Sequence, residues 1–410
     1  MVQYPAVIDR QLGPTCIDLF SGAGGLAEGF RQAGWSILAA NDSDANARST
    51  FRLNFPEAVF FEGSVADLAA ADLLRAADLK RGELGVLIGG PPCQSFSYNN
   101  HERSASDKRA RLFKHYLHIV ARLHPKTLVM ENVPGMLTIG GGRIVEEIQR
   151  SLSKLNYDSV VRILYAEDFG VPQARRRAFV LASRIGAAAD LLPQGTHGPS
   201  AKPSEEASPM VHRWTASPGV TVNPFVTVSD AISDLPILRN GGGDPLREYV
   251  QAAKTPFQRL LREGAVRLCN HVCHQVAPAM LARIQHVREG GNWRNIPHDL
   301  LPAGMQRAKK KDHTKRYGRL SRRGLASTIL TKCDPHWGAY IHPTQSRTIS
   351  VREAARLQGF PDTFQFAGDR MGRQYEQVGN AVPVPLASAI ALAVRLQVEN
   401  APRARAKTAA

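Results

Sequence analysis

One cysteine stands where a thiol could act as a nucleophile. Cys93 lies in the segment GGPPCQSFS (89–97), directly after an apolar run, VLI (86–88), that is typical of a buried strand. The two preceding prolines restrict the approach to the sulfur, and the polar segment that follows resembles a lid over a site. A structural cysteine lies more often inside an apolar run, as Cys16 does. We therefore interpret Cys93 as a catalytic nucleophile.

An acid and a group of arginines accompany this cysteine at other strand ends. Glu131 follows the apolar run LVM (128–130), and the arginines of QARRR (173–177) precede the strand candidate AFVLA (178–182). Each motif alone is explained by a surface glutamate or by a solvated turn. Neither alternative explains why all of these motifs lie beside buried-strand candidates. Their joint placement predicts a shared site, in which the arginines supply planar hydrogen-bond donors.

A glycine-rich turn near the N-terminus predicts a nucleotide-type site. In DLFSGAGGLA (18–27), a strand leads into glycines that open a helix, and such turns bind anionic or nucleoside ligands through backbone N–H groups. Asp42 follows at the end of the next strand candidate, where a carboxylate can accept hydrogen bonds from a ribose. The glycines alone do not separate a nicotinamide cofactor from S-adenosylmethionine, nor exclude a turn that binds nothing.

Alternating strand and helix patterns are expected to position these residues. Strand candidates also occur at 16–20 and 37–40, with helical patterns at 24–33 and 112–123. This alternation predicts an α/β fold with a mainly parallel sheet, whose ligands bind beyond the carboxyl ends of the strands. We predict a catalytic and cofactor-binding domain over residues 1–185 and a target region over 186–371. A C-terminal segment, 372–410, would rejoin the first domain through a helix over 384–398, with a disordered tail at 401–410.

The charge of the chain indicates a polyanionic partner. Lys and Arg number 52 against 36 Asp and Glu, a net charge of +16, and +10 of it lies within residues 186–371. The densest run, RAKKKDHTKRYGRLSRR (307–323), is also compatible with a merely solvated loop. No apolar run reaches the ~18 residues of a membrane span, the N-terminus does not resemble a signal peptide, and five cysteines do not suggest a disulfide framework. We expect a cytoplasmic protein without a membrane segment.

A cluster of cysteines and histidines resembles metal ligands. Two cysteines and two histidines stand within CNHVCH (269–274). Structural zinc sites normally join two separated pairs, and this sequence has no second pair at a distance. We therefore expect a packed turn and no metal.

Six ordered blocks together resemble the DNA cytosine-5 methyltransferases. They are DLFSGAGGL, GGPPCQSFS, ENVPG, QARRR, RTISVREAARLQGFPDTF (347–364) and QYEQVGNAVPVPLA (374–387), and the likeness covers most of the chain outside about 186–320. The resemblance implies an S-adenosylmethionine-dependent, Rossmann-like fold with a smaller, irregular target-recognition domain. It also implies methyl transfer to C5 of a cytosine in a specific double-stranded DNA sequence.

The resemblance also implies catalytic roles. The Cys93 thiolate would add to C6 of the cytosine, so that C5 becomes a nucleophile towards the methyl group. A protonated Glu131 would donate to N3, and Arg177, together with Arg175, would hold O2. The target base must be flipped out of the duplex, and the loop over 94–111 would close over it.

The cofactor pocket follows from the same resemblance. We expect the glycine loop at the methionine end and Asp42 at the ribose, with the expected contacts being Phe20, Gly22, Gly24, Gly25, Leu26, Asp42, Ser64, Pro92, Leu112, Asn380 and Val382. One position departs from the family. Many relatives have an aspartate at the position of Ser64, beside the adenine amino group; serine accepts more weakly, and Asp67 could substitute.

The basic run lies in the family's target-recognition region, so we expect it to bind DNA phosphates. The residues are Lys309, Lys310, Lys311, Lys315, Arg316, Arg319, Arg322 and Arg323, with Thr328 beside the DNA.

The sequence is also compared with three alternative functions: tRNA methylation, DNA binding without catalysis, and nicotinamide-dependent oxidoreduction. The same chemistry on tRNA is one alternative, although the tRNA enzymes usually carry Cys-Phe-Thr after the variable region, where this chain has TKCD (331–334). A catalytically idle DNA-binding homologue should have lost Cys93, Glu131 or the arginines, and a nicotinamide oxidoreductase gives Cys93, Glu131 and Arg177 no joint role. We expect a monomer acting on double-stranded DNA, paired with a restriction endonuclease of the same specificity or working alone.

Overall fold

A computed structural model describes residues 13–92, 112–198, 222–309, 311, 313 and 315–401. Among the predicted functional residues, Cys93 and Lys310 lie outside these ranges, as do the predicted lid over 94–111 and all of the predicted tail except Ala401.

A seven-stranded sheet forms the centre of the molecule. Its order is β3-β2-β1-β4-β5-β8-β6, and all strands run parallel except β8, which is antiparallel to both neighbours. The predicted α/β fold with a mainly parallel sheet is confirmed. Along the chain, the first eight strands are β1 (Thr15–Leu19), β2 (Ser36–Asp42), β3 (Val59–Glu62), β4 (Val86–Gly89), β5 (Thr127–Asn132), β6 (Asp158–Tyr165), β7 (Gln173–Ala174) and β8 (Arg176–Ser183).

Helices cover both faces of this sheet, which is why the four residues of β4 are all buried. On one face, apolar side chains of α1 (Gly25–Gln32) and α2 (Ala45–Asn54) pack together with the C-terminal helix. The other face is covered by α3 (Ala70–Ala77), α4 (Leu112–Leu123) and α5 (Arg143–Lys154). The helices predicted over 24–33 and 112–123 are therefore confirmed.

The region after β8 consists of short elements. The helices are α6 (Val228–Ile232), α7 (Pro256–Arg262), α8 (Pro278–Gln285), α9 (Ala303–Gln306) and α10 (Val351–Leu357), and the strands are β9 (Gly243–Arg247), β10 (Leu268–Val272) and β11 (Ala326–Ser327). Trp293, Tyr317 and Ile341 belong to a separate apolar core within it. The domain boundaries at residues 185 and 371 stay predictions.

The last helices return to the first ones. α11 (Met371–Asn380) leads into α12 (Val384–Asn400), which lies against α1 so closely that a Cβ on Gly29 would stand 2.3 Å from the Cβ of Ala387. The indole Nε1 of Trp35 donates to the Ala391 carbonyl at 3.1 Å. Among the described residues, no single helix is long and apolar enough to span a membrane; α11 and α12 meet that test only as a pair with a 40° bend.

Buried ion pairs hold α10 in place. The Arg356 guanidinium donates to Asp234 Oδ1 at 2.5 Å, to Asp362 Oδ2 at 2.6 Å and to the Ala231 carbonyl at 2.9 Å, and all three charged side chains are fully buried. Although burial alone would raise the pKa of Asp362, Arg356 outweighs it and holds this pKa below its ordinary value. The arginine thus joins α10 to α6 and to the loop after α10.

We expect Arg356→Met to reduce the free energy of unfolding by about 3–5 kcal/mol, because two buried carboxylates would lose their shared cation. Arg75→Met is the control: Arg75 pairs with Asp72 on the exposed surface of α3, and this change should cost at most about 1 kcal/mol. Urea denaturation of both variants measures the difference. Equal losses in the two variants would contradict this role of Arg356.

Candidate active site

A cavity of about 490 Å³ opens at the carboxyl ends of β1, β4 and β5. Asp18 and the glycine loop reach it from β1, Gly90 from β4, and Glu131 from the end of β5. Because β8 runs antiparallel, its first residues lie at the same edge and bring Arg177 to the cavity wall. Four of the sequence motifs thus meet at one edge of the sheet.

The glycine loop is held in a left-handed backbone that few residues adopt. Gly22 and Gly24 have φ values of 53° and 95°, and a Cβ on Gly24 would lie 2.7 Å from the Phe55 ring. The Gly22 amide donates to Asp42 Oδ2 at 2.8 Å, so the loop and the predicted ribose ligand are directly linked. Gly24 packs against the Phe55 ring and does not line the cavity. The predicted cofactor residues on the cavity wall are Phe20, Gly22, Gly25, Leu26, Asp42, Pro92, Leu112, Asn380 and Val382.

Ser64 is not on the cavity wall. Its hydroxyl accepts a hydrogen bond from the Ala66 amide at 3.2 Å and caps a short 3₁₀ turn, Val65–Asp67. Asp67, the expected substitute, also does not line the cavity. The hydroxyl keeps a second lone pair beside this cap, so the contact between Ser64 and the adenine stays a prediction.

Other polar residues on the wall were missed by sequence reasoning. Asp18 is 1% exposed, and burial together with Asp42 raises its pKa well above the ordinary value, although the Ala27 amide opposes the shift. From α11, the ion pair of Arg373 and Glu376 (2.6 Å) and the amide of Gln377 face the same cavity. Only the position of Asp18 at the head of the glycine motif could have signalled any of these.

Glu131 and Arg177 form an ion pair in the cavity wall. Arg177 Nε lies 2.7 Å from Glu131 Oε1, with only 12% and 13% of the two side chains exposed. Burial raises the pKa of Glu131 above its ordinary value, although the positive charge of Arg177 opposes the shift. The site therefore combines a carboxyl that protonates more readily than usual with a fixed guanidinium donor.

The loop that leads into Cys93 is tied to the same strand end. The side-chain amide of Asn132 donates to the Pro91 carbonyl at 2.9 Å, and a Cβ on Gly90 would come within 3.1 Å of Glu131 Oε2. The described part of GGPPC thus passes next to the Glu131 carboxyl.

Arg175 has a different position from Arg177. It is 1% exposed, and its guanidinium donates to the carbonyls of Ile329 (2.8 Å), Gly379 (2.6 Å) and Ala381 (3.0 Å). It does not line the cavity. The expectation that Arg175 holds the base is corrected here: its donors join the target region and the end of α11 to the sheet.

Thr328 lies beside the arginine motif. β11 pairs in parallel with β7, and the Thr328 hydroxyl donates to the Ala174 carbonyl at 2.8 Å. Thr328, which is predicted to face DNA, is therefore bonded to the residue directly before Arg175, in the motif that also carries Arg177.

The predicted DNA-binding arginines fall into different environments. Arg319 is 8% exposed, and its guanidinium donates to four backbone carbonyls, those of Ile284, Val287, His342 and Gln345. It cannot also bind a phosphate, so its prediction is wrong for this conformation. Arg322 is exposed but pairs with Glu289 at 3.0 Å, and the exposed basic residues of the run also include Lys309, Lys311, Lys315 and Arg323.

Three of the four cysteine and histidine side chains in CNHVCH have local partners. His271 contacts the Ser350 hydroxyl at 2.9 Å and the Pro236 carbonyl at 2.8 Å, Cys273 donates to the Arg239 carbonyl at 3.3 Å, and the His274 ring stacks on Tyr375. Within the described ranges, no three metal-binding side chains are close enough to share an ion.

Known proteins resemble this chain over nearly its whole length. The family described as C-5 cytosine-specific DNA methylase matches residues 14–395. The type II methyltransferase M.AgeI of Thalassovita gelatinovora is 31% identical, over 93% of this chain and 99% of that protein. M.DdeI of Desulfomicrobium norvegicum is 30% identical, over 94% and 89%, and the Mus musculus DNA (cytosine-5)-methyltransferase 1 is 31% identical, over 96% and 29%.

Solved structures share the fold. A prophage-encoded DNA modification methyltransferase of E. coli superposes with a TM-score of 0.70 at 24% identity, over 94% of this chain and 100% of that one. DNMT2 of Spodoptera frugiperda has a TM-score of 0.53 at 16% identity, over 93% and 99%.

Proposed function

Since the chain belongs to the C-5 cytosine-specific DNA methylase family and is a DNA cytosine-5 methyltransferase, we propose how its own residues carry out the transfer. The observation that carries the proposal is the Glu131–Arg177 pair in the wall of the cavity that the glycine loop also lines. The proposed substrate is one cytosine within a specific double-stranded DNA sequence, flipped into this cavity.

The cavity fits S-adenosylmethionine as methyl donor. Asp18 supplies a buried carboxyl that has no cationic partner among the described residues and could accept from a cationic ammonium group, and the glycine loop allows the backbone to approach the ligand closely. Asp42 keeps acceptor capacity for the ribose hydroxyls, although its two oxygens already accept from the amides of Gly22 and Asp44. When bound, the cofactor supplies an electrophilic methyl group. These residues hold it and exclude water.

Cys93 is the proposed nucleophile. Its thiolate adds to C6 of the flipped cytosine, and the electron pair of the C5–C6 double bond moves towards C5. C5 would then take the methyl group of the cofactor as the methyl–sulfur bond breaks, with the electron pair of that bond left on sulfur. A base, proposed to be a water molecule, removes the C5 proton, and expulsion of the Cys93 thiolate restores the aromatic ring.

Glu131 and Arg177 stabilise the charge that this addition creates. Negative charge builds at N3 as the thiolate adds, and a protonated Glu131 donates to that atom. Arg177 keeps the carboxyl in place and has further donors for O2. Arg175 acts as a positioning residue: it fixes the turn from which Arg177 extends, and it does not touch the base.

The biological setting is proposed from the named relatives. M.AgeI and M.DdeI are type II methyltransferases, which supports a modification enzyme paired with a restriction endonuclease of the same specificity, or an orphan of that type. A monomer acting on chromosomal DNA in the bacterial cytoplasm is the simplest arrangement, since the cofactor cavity and the exposed basic run occur in one chain.

The experiment that tests this function is methylation mapping. DNA from cells expressing the protein, sequenced after bisulfite treatment, is expected to contain 5-methylcytosine at a single short motif. Purified protein should transfer labelled methyl groups to duplex DNA and not to tRNA. Transfer to tRNA with unmodified cellular DNA would contradict the proposal, and a Cys93→Ser strain controls for methylation by the host.

A further inference from the structure

An exposed indole lies on the surface of the basic region. Trp337 is 54% exposed, and the other large apolar side chains exposed among the described residues are all aliphatic. The Arg316 guanidinium carbon lies 5.1 Å from the Trp337 ring centroid, and the His336 ring meets the indole edge-on at 5.1 Å. We call Arg316, Tyr317, His336 and Trp337 the Trp337 cluster.

Hydrogen bonds to buried groups and to the neighbouring main chain hold the Trp337 cluster in place. Tyr317 is completely buried, its hydroxyl contacts His336 Nδ1 at 3.1 Å, and its amide donates to the Pro335 carbonyl at 2.6 Å. Asp334 receives hydrogen bonds from the amides of His336 and Trp337, at 2.8 Å and 2.9 Å. An exposed aromatic ring on such a support loses little conformational freedom when it binds a partner.

The cluster is connected to the catalytic edge by a short segment. Thr328, at the start of this segment, bonds to the carbonyl beside the arginine motif, and the Leu330 amide donates to the Tyr340 hydroxyl at 2.9 Å. Trp337 lies between these two anchored ends. A surface that binds to Trp337 therefore has a fixed position relative to Arg177.

The charge around the cluster is positive and in part uncompensated. No carboxylate pairs with Arg316 within the described part of the chain; its guanidinium instead contacts Met305 Sδ at 3.2 Å and His336 Nε2 at 3.5 Å. Lys311, Lys315 and Lys332 are exposed nearby in the sequence. A cation beside an open aromatic face on a basic surface suits a polyanion that also offers flat apolar surface, which is the chemistry of nucleic acid.

We propose that the Trp337 cluster is a DNA-contact site, in which the indole packs on sugar and base surface flanking the target cytosine and Arg316 binds a backbone phosphate. The inference rests on the proposed function, because it assumes that duplex DNA is the substrate. It divides the work between two kinds of contact: Arg316 contributes affinity that depends on salt, and Trp337 contributes apolar contact that depends on the neighbouring bases.

The test uses a fluorescent duplex of about 30 base pairs carrying the mapped methylation site, with S-adenosylhomocysteine present. Trp337→Ala is expected to raise the Kd about tenfold or more without changing its salt dependence, and Trp337→Phe should recover most of the loss. Arg316→Gln should lower the slope of log K against log salt by about 0.9, the value for one phosphate contact. Ile237→Ala is the control, because Ile237 is 82% exposed in the same region and belongs neither to the basic run nor to the Trp337 cluster.

Two results would overturn the inference. One is DNA binding by Trp337→Ala that equals that of the unaltered protein. The other is a parallel loss of thermal stability and of S-adenosylhomocysteine binding, since that would make Trp337 a structural residue only. If the proposed function is wrong, the unaltered protein itself does not bind the duplex. If only the inference about Trp337 is wrong, the unaltered protein binds the duplex and the variants bind it equally well.

Discussion

Cys93→Ser is expected to abolish methyl transfer, with a fall in kcat of about 10⁴-fold or more. Serine is close in size to cysteine, but its hydroxyl stays protonated where a thiol can ionise, and nothing else in the proposed site adds to C6 of the cytosine. Binding of duplex DNA and of S-adenosylhomocysteine should stay within about threefold of the unaltered protein, because the mutation removes a reacting atom and leaves the binding surfaces intact.

The measurement has a direct chemical readout. On a duplex with 5-fluorocytosine at the target position, the unaltered enzyme should form a stable covalent complex, because fluorine at C5 prevents the elimination step. Cys93→Ser should form none. Cys273→Ser is the matched control: Cys273 donates to the Arg239 carbonyl, a bond that a serine hydroxyl can also make, and this variant should trap DNA normally. Trapping by Cys93→Ser would rule out the mechanism.

Glu131→Gln is expected to lower kcat by about 10²–10³-fold with a smaller effect on the KM for DNA. The amide keeps the shape of the side chain and can still donate a hydrogen bond, but it cannot transfer a proton to N3. It also removes one charge of the Glu131–Arg177 ion pair. The loss should therefore be greatest in the chemical step, which single-turnover kinetics isolates from product release.

The pH dependence separates this role from a structural one. In the proposed mechanism the active carboxyl is the protonated form, and burial raises its pKa, so kcat of the unaltered enzyme should fall as the pH rises through that pKa. Glutamine does not ionise, so the alkaline fall assigned to Glu131 should disappear in Glu131→Gln. An unchanged alkaline limb in the variant would assign that limb to another group.

Sequence reasoning located the catalytic edge because strand ends can be found from local apolar runs. β4, β5 and β8 lie where those runs predicted, and parallel strands bring Gly90 and Glu131 to one edge without any further information. The antiparallel course of β8 was not predicted, yet the same edge results, because Arg177 stands at the start of that strand.

The errors arose where the direction of a side chain depends on distant residues. Arg175 stands between β7 and β8, which belong to different sheets, so the alternation expected along one strand fails to relate it to Arg177. Arg319 belongs to a run of similar charges, and only the folded neighbourhood separates it from the rest by surrounding it with carbonyls. Ser64, assigned from a family position, stays a prediction, and its capping of a local turn could not be seen from that position alone.

The hydrogen bonds of the Arg175 guanidinium affect how the target region can change in sequence. Of the three main-chain carbonyls that this guanidinium contacts, only that of Ile329 belongs to the target region. Every amino acid provides such a carbonyl, so this bond does not depend on the side chain at position 329. The parallel pairing of β11 with β7 is likewise made by the main chain. The side chains at these positions can therefore change while the two main-chain attachments keep the target region beside the strand end that carries Arg177.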